Sequence, residues 1–314
     1  SITGHQSTLF RHEARQLILS AVNSAKDDKL VFTGNGSTAA INKLVHMLNI
    51  ANDSNETIVL VGPFEHHSNI LPWREAKAKV VMIKEDEYGR IDENHLEEEL
   101  KTITEDLKAK NKSNSTTIIG AFSAASNVTG IKSDTNKITD MLHRYNALAF
   151  WDYACAAPYV KIDMNPVVDG YERNMLRKDA IFISPHKFIG GVETPGILVV
   201  KKHLFRNKVP ETPGGGTVFF VTEQDHRYLK KAYEREEGGT PSIVGAIRAG
   251  LVFQLKSSVG ESIIEKKETA LCKKAMEELR KNPNLVILGN PDVPRLAVFS
   301  FLVRFNKTPM FLHY

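Results

Sequence analysis

Lys187 lies in "FISPHKFIGG", residues 182–191, between a short apolar run and a pair of glycines. A lysine at a strand end either reaches into water or serves as an amine that forms a Schiff base with a carbonyl. Four other segments carry groups suited to the same chemistry. "LAFWDYACAAPY", 148–159, ends an apolar run in Asp152, a carboxylate that is costly to bury unless paired. "TGNGSTAAIN", 33–42, follows a strand pattern and opens a helix pattern, so its amides with Ser37 and Thr38 suit an anion. "GPFEHHSNILPW", 62–73, brings Glu65, His66 and His67 after another strand. Side chains alternate in extended backbone, so one imidazole at most faces a site there, where it can stack on a planar ring. "SAASNVTGI", 123–131, adds Asn127 and Thr129.

Each segment also has a plainer reading. Ser37 or Thr38 can be a helix N-cap, as can Asp152 for the helix after it, or Ser68 beside a surface histidine. Asn127 to Gly130 can be a simple turn. Gly34-x-Gly36-x-x-Ala39, with Glu65 beyond the next strand, also fits the dinucleotide fingerprint, but that ligand leaves Lys187 and Asp152 without a role. An anion-ready turn, then an aspartate, then Ser-x-His-Lys, each at a strand end, is the equipment for pyridoxal 5'-phosphate. Lys187 is then expected to hold the aldehyde as an imine and Asp152 to keep the pyridine nitrogen protonated. Ser37, Thr38, Ser184 and His186 are expected to hold the phosphate.

These residues need a scaffold that gathers strand ends. An amphipathic pattern predicts a helix over 8–25, followed by a strand over 30–32 and a helix over 37–48. Strands are expected over 57–61, 79–83, 117–122, 148–151, 180–183 and 196–200, and helices over 91–112 and 136–145. Alternating strands and helices indicate an α/β architecture with a mostly parallel sheet, which binds ligands beyond the carboxyl ends of its strands. "ETPGGGTVFF", 211–220, reads as a loop. Helices over 242–255 and 261–281, then strands over 284–288 and 296–304, break the alternation. This divides the chain into a large domain, 1–256, and the start of a small α+β domain, 257–314.

Composition narrows the class. The 314 residues are 42% hydrophobic and 25% charged, ordinary for a globular protein. Lys and Arg number 41 against 37 Asp and Glu, a scattered excess that does not argue for nucleic acid or a membrane surface. Two distant cysteines, Cys155 and Cys272, form neither a disulfide framework nor a zinc pattern and fit an intracellular, cytoplasmic setting. No metal site is expected.

The segments "GSTAAIN", "EHHSNILPW", "SNVTG", "WDYACAAPY", "SPHKFIGG" and "EEGGTPSIVGAI" resemble class V aminotransferases of the cysteine desulfurase and selenocysteine lyase group, from about residue 4 to 260. The resemblance implies the fold type I of pyridoxal-phosphate-dependent transferases and a homodimer with its site at the interface. It also implies an enzyme that removes sulfur or selenium from a small amino acid. It casts His66 as the ring-stacking residue, Asn127 as a neighbour of the phenolic oxygen, Asp152 as the pyridine partner and Lys187 as the Schiff-base lysine. Ser184 and His186 become phosphate contacts, and Thr240 a phosphate contact supplied across the dimer. Cys155 stands where relatives carry glutamine, and Ala39 where many carry an acid. Neither cysteine matches the late-loop nucleophile of the desulfurases, and the chain is expected to be a fragment trimmed at both ends. A transaminase or epimerase on the same scaffold, and a non-catalytic homologue that keeps the cofactor site, are the alternatives.

Overall fold

The computed structural model describes residues 2–305 and 310–312. The chain begins with α1 (Ile2–Ala21), β1 (Asp28–Phe32), α2 (Gly36–Met47), β2 (Glu56–Val61), α3 (Leu71–Glu75) and β3 (Lys79–Met82). It continues through α4 (Glu93–Ala109), β4 (Thr116–Ser123), α5 (Thr135–Arg144), β5 (Leu148–Asp152), β6 (Ala180–Ile183) and β7 (Ile197–Lys201). The seven strands form one mixed sheet in the order β1-β7-β6-β5-β4-β2-β3. β7 pairs antiparallel with both β1 and β6, and the other pairings are parallel. Strands β1, β2, β4, β5 and β6 therefore end on the same edge of the sheet.

The central strands are buried on both faces, which explains why they read as continuous apolar runs rather than alternating ones. α2 covers one face with Ala40, Ile41, Leu44 and Met47, joined by Trp73 of α3. α4 covers the other with Leu96, Leu100, Ile103 and Leu107, one apolar stripe on an otherwise charged helix. α4 starts where the Asp92 carboxylate accepts from the amides of Asn94 and His95, and α5 where Asp134 does the same for Asn136 and Lys137.

The remaining elements are β8 (Val218–Val221), β9 (His226–Tyr228), α6 (Ala232–Arg235), α7 (Ile243–Val259), α8 (Glu261–Arg280), β10 (Leu285–Ile287) and β11 (Phe301–Val303). α7 packs along α1, where Gly250 admits Ala14: a Cβ on Gly250 would sit 2.7 Å from the Ala14 Cα. Three sequence expectations change here. α1 starts and ends earlier than residues 8–25, because Asn23 takes a left-handed turn with φ of 52° that stops the helix. The stretch read as a loop, 211–220, runs into β8, which forms a hairpin with β9. The apolar run 296–304 is a strand only over Phe301–Val303, because its first part is tied elsewhere: Leu296 N donates to the Gly130 carbonyl at 2.8 Å.

Among the described residues no helix is long and apolar enough to cross a membrane, and no group of three or more His, Cys, Asp or Glu is gathered to hold a metal ion.

Candidate active site

Five strand ends meet at a cavity of about 220 Å³. The turn after β1 contributes Gly36, Ser37 and Thr38, and the segment after β2 contributes His66 and Ser68. β4 contributes Ser123 and Asn127, β5 Asp152 and Cys155, and β6 Ser184, His186 and Lys187. The structure thus brings together every residue expected to hold the cofactor except Thr240, while Glu65, His67 and the buried Thr129 lie outside the cavity wall. Thr240 is exposed and lines a separate cavity with Arg11, Lys43 and Gly238.

The turn after β1 is shaped for close approach. Gly36 has φ of +60°, and a Cβ there would lie 2.7 Å from His186 Cε1 and 2.9 Å from Ser184 Oγ. Ser37 N donates to Ser184 Oγ at 2.9 Å, and the two hydroxyl oxygens are 3.1 Å apart. Neither Ser37 nor Thr38 caps α2: the N-cap is Asn35, whose side chain makes no capping bond, and Ser37 lies inside the first turn. The N-terminal end of α2, the Ser37 and Ser184 hydroxyls and the His186 ring therefore face the same corner of the cavity.

Lys187 ends a short 3₁₀ turn, Pro185–Lys187, and is exposed rather than buried. The following Gly191 is held under that turn, where a Cβ would fall 1.9 Å from the Pro185 carbonyl oxygen. Asp152 is buried, and its Oδ1 accepts from Ala154 N at 2.8 Å. Burial pushes its carboxyl above the usual range, while the Ala154 amide, Ser37, Lys187 and His66 pull it back. No helix follows β5, so the capping expectation for Asp152 fails; its bond to Ala154 N shapes a turn instead, while the side chain forms part of the cavity wall.

His66 faces the cavity and His67 does not: the extended segment ends at His66, and His67 opens a 3₁₀ turn, His67–Asn69. The capping expectation for Ser68 is reversed: His66 is the N-cap, and its Nδ1 accepts from Ser68 N at 3.2 Å. An amide can only donate, so Nδ1 carries no proton and the neutral ring has its hydrogen on Nε2. Desolvation, and then the neighbouring His67, hold His66 below the ordinary histidine range. Ser68 Oγ also bridges His66 Nδ1 at 3.0 Å and Thr38 Oγ1 at 2.7 Å, linking the β1 and β2 ends. His186 is likewise shifted down by desolvation and by Lys187. Cys155 lines the wall with its thiol pushed up by burial.

One residue was missed in the sequence reading. Ser123 is the last residue of β4, in register with Asp152, and lines the cavity. Its strand-end position is the signal that finds it. Glu65, read as a strand-end group and as the acid of the dinucleotide fingerprint, has a structural part the sequence did not show: its carboxylate accepts from Ser123 N at 2.8 Å, Ser123 Oγ at 2.6 Å and Asn69 Nδ2 at 2.8 Å. The dinucleotide fingerprint therefore loses its acid.

Residues 2–309 match the family model for aminotransferase class-V. A probable cysteine desulfurase of Halalkalibacterium halodurans is 30% identical over 288 residues, covering 91% of this chain and 66% of that protein. One of Streptomyces coelicolor is 26% identical, covering 96% of this chain and 68% of that protein. The chain thus spans about two thirds of the length of these relatives. Its fold is similar to that of a cysteine desulfurase from Thermococcus onnurineus, with a TM-score of 0.75 at 22% identity over 95% of this chain and 69% of that one. The cysteine desulfurase CsdA of Escherichia coli gives the same score and identity over 95% and 68%. The chain belongs to the class-V aminotransferase family, whose members depend on pyridoxal phosphate.

Proposed function

We propose that this protein is a cysteine desulfurase-like enzyme that uses pyridoxal phosphate to act on a small amino acid. The observation that carries the reading is the convergence of Lys187, Asp152, His66 and the Ser37–Ser184–His186 corner on one cavity. The residues fit the cofactor. Gly36 leaves a cradle that a Cβ would fill, the first turn of α2 and the serine hydroxyls offer donors to a phosphate, and Asp152 is a buried carboxylate suited to a ring N–H⁺. Bound there, the cofactor supplies an electron sink for negative charge at the α-carbon of an amino acid.

The chain's own residues do the rest. Lys187 Nζ would hold the cofactor and would take the α-proton of the substrate. Asp152 holds the pyridine proton in place, so the ring keeps its capacity to accept charge. His66, fixed by Ser68 with its hydrogen on Nε2, would stack on the ring and presents a donor at the cavity edge. Asn127, in the cavity wall, would hydrogen-bond the phenolic oxygen. Cys155 serves as a wall: burial keeps it a thiol, and Cys272 lies elsewhere, buried in α8. A second copy of the chain supplies Thr240 to the phosphate. The division at residue 256 into a cofactor-binding domain and a small domain belongs to the same proposal, with the turn at Gly260 between α7 and α8 as the nearest break.

The test is alanine and sulfide release from cysteine by the purified, cofactor-loaded protein with excess dithiothreitol, which accepts the sulfur removed and reduces it to sulfide. Stoichiometric alanine and sulfide are expected. A loaded protein that exchanges amino groups with 2-oxo acids yet leaves the cysteine C–S bond intact would replace desulfuration with transamination.

A further inference from the structure

Glu65 is a half-buried residue whose carboxyl is removed from water, and nothing in the proposed reaction uses it. Its surroundings are unusually one-sided. Oε1 accepts from Ser123 N, a backbone amide that can only donate. Oε2 accepts from Asn69 Nδ2 and from the Ser123 hydroxyl. The Asn69 amide cannot turn over to accept, because its Nδ2 also donates to the Ala121 carbonyl at 3.2 Å and its Oδ1 receives the Trp73 indole N–H at 3.4 Å. Of the groups bonded to the carboxylate, Ser123 Oγ is the one that can either donate or accept.

This restricts what a proton on Glu65 can do. Placed on Oε1, it would point at an N–H. Placed on Oε2, it has one acceptor, Ser123 Oγ, 2.6 Å away. The serine then receives that hydrogen bond, and its own hydrogen must turn to another partner. Ser123 lines the cavity, next to Asp152 in the sheet register. We propose that Glu65 is a positioning residue that sets the direction of the Ser123 hydroxyl. The hydroxyl donates to Glu65 when the carboxylate is ionised, and donates into the cofactor cavity when Glu65 holds a proton. The inference rests on the reading of that cavity as the pyridoxal-phosphate site.

Two further features support it. Glu65 and Ser123 also line a separate void of about 20 Å³, together with Ser126, Ser133, Arg90 and Lys132. That volume is enough for about one water, and its polar lining gives protons a way to Glu65 without passing through the cavity. Desolvation, outweighing the hydrogen bonds from Ser123 and Asn69 and reinforced by the charge of Asp152, pushes Glu65 up to about 7, so both protonation states are populated near neutrality. The charged groups around it are Asp152 at the end of β5, Arg90 before α4, Lys132 after β4 and His66 next to it in the chain. Arg90 is paired with Asp86 and Lys132 with Glu265, which limits what either cation does to stabilise the ionised form.

The experiment is a pH titration of the holoenzyme on either side of 7, followed by infrared and by cofactor absorbance, on wild type, Glu65→Gln and Ser123→Ala. Wild type should lose a buried-carboxylic-acid band as the pH rises through about 7, with a change in cofactor absorbance at the same midpoint. Glu65→Gln should lose both signals. Ser123→Ala should keep a titrating carboxyl band and lose the optical step. An optical step that survives in Ser123→Ala with the same midpoint would overturn the proposal, as would a wild-type carboxyl band unaffected by Glu65→Gln. If Glu65→Gln does not fold, Ser123→Ala decides alone. The infrared arm needs no cofactor, so failure to bind pyridoxal phosphate would count against the site reading and leave the carboxyl titration as a separate result.

Discussion

Asp152 shows how one side chain can satisfy a local rule and a remote one. Its bond to the Ala154 amide shapes the turn after β5, and its burial at the end of β5 beside Lys187 suits the proposed role against the cofactor ring. Asp152→Asn keeps the shape and removes the charge. Turnover is expected to fall by on the order of 10²-fold or more while the cofactor stays bound through its phosphate and Lys187. Unchanged turnover, measured beside cofactor retention, would reduce Asp152 to a turn former. Lys178 presents the opposite case, a buried charge that the reaction does not use. It is 1% exposed, and its Nζ reaches Asn136 Oδ1 at 3.4 Å. Burial pushes it from 10.5 down to about 8, against the pull of Asp163 and Asp134. The folded state therefore binds its proton less tightly than the unfolded chain. That penalty is full below about 8 and is relieved as the pH climbs towards 10.5. Lys178→Met should raise stability at neutral pH by up to about 3 kcal/mol, with the gap closing at alkaline pH. Urea midpoints across that range test it, and a Met variant less stable throughout would show that the ammonium is well solvated.

At the scale of elements, the turn between β1 and α2 decides whether the phosphate corner exists. Gly36 combines a left-handed backbone with contact to both Ser184 and His186. Gly36→Ala adds strain of about 1–2 kcal/mol and drives a methyl group into the two side chains. Cofactor affinity should fall by on the order of tenfold, read by fluorescence titration. Undiminished affinity would mean that the phosphate sits elsewhere. The strands that build this edge were legible in the sequence because they are short, apolar and bounded by turn residues. Their register was not, and with it went Ser123, whose importance comes from lying beside Asp152 across two strands. The Leu296 segment was misread for a related reason. Its apolar residues suit a strand, but the loop after β4 captures its backbone first, through Ile131 and Gly130.

For the whole molecule, the order of motifs along the chain carried more information than any one of them. An anion turn after β1, a histidine after β2, an asparagine after β4, an aspartate ending β5 and a lysine after β6 make sense together only if all five strands share a direction. The sheet gives them that, with β7 alone reversed. What stayed hidden is what depends on contact between distant segments: the Glu65 network, the Thr38–Ser68–His66 bridge, and the lysine at position 178, buried without an ion pair among the described residues. The central claim is that these strand ends assemble one pyridoxal-phosphate site anchored at Lys187. Borohydride reduction of the cofactor-loaded protein, followed by peptide mapping, tests it most directly. The label should fall on the peptide that contains Lys187, and the Lys187→Ala variant should take up none; stable labelling at another lysine, with Lys187 unmodified, would contradict the account.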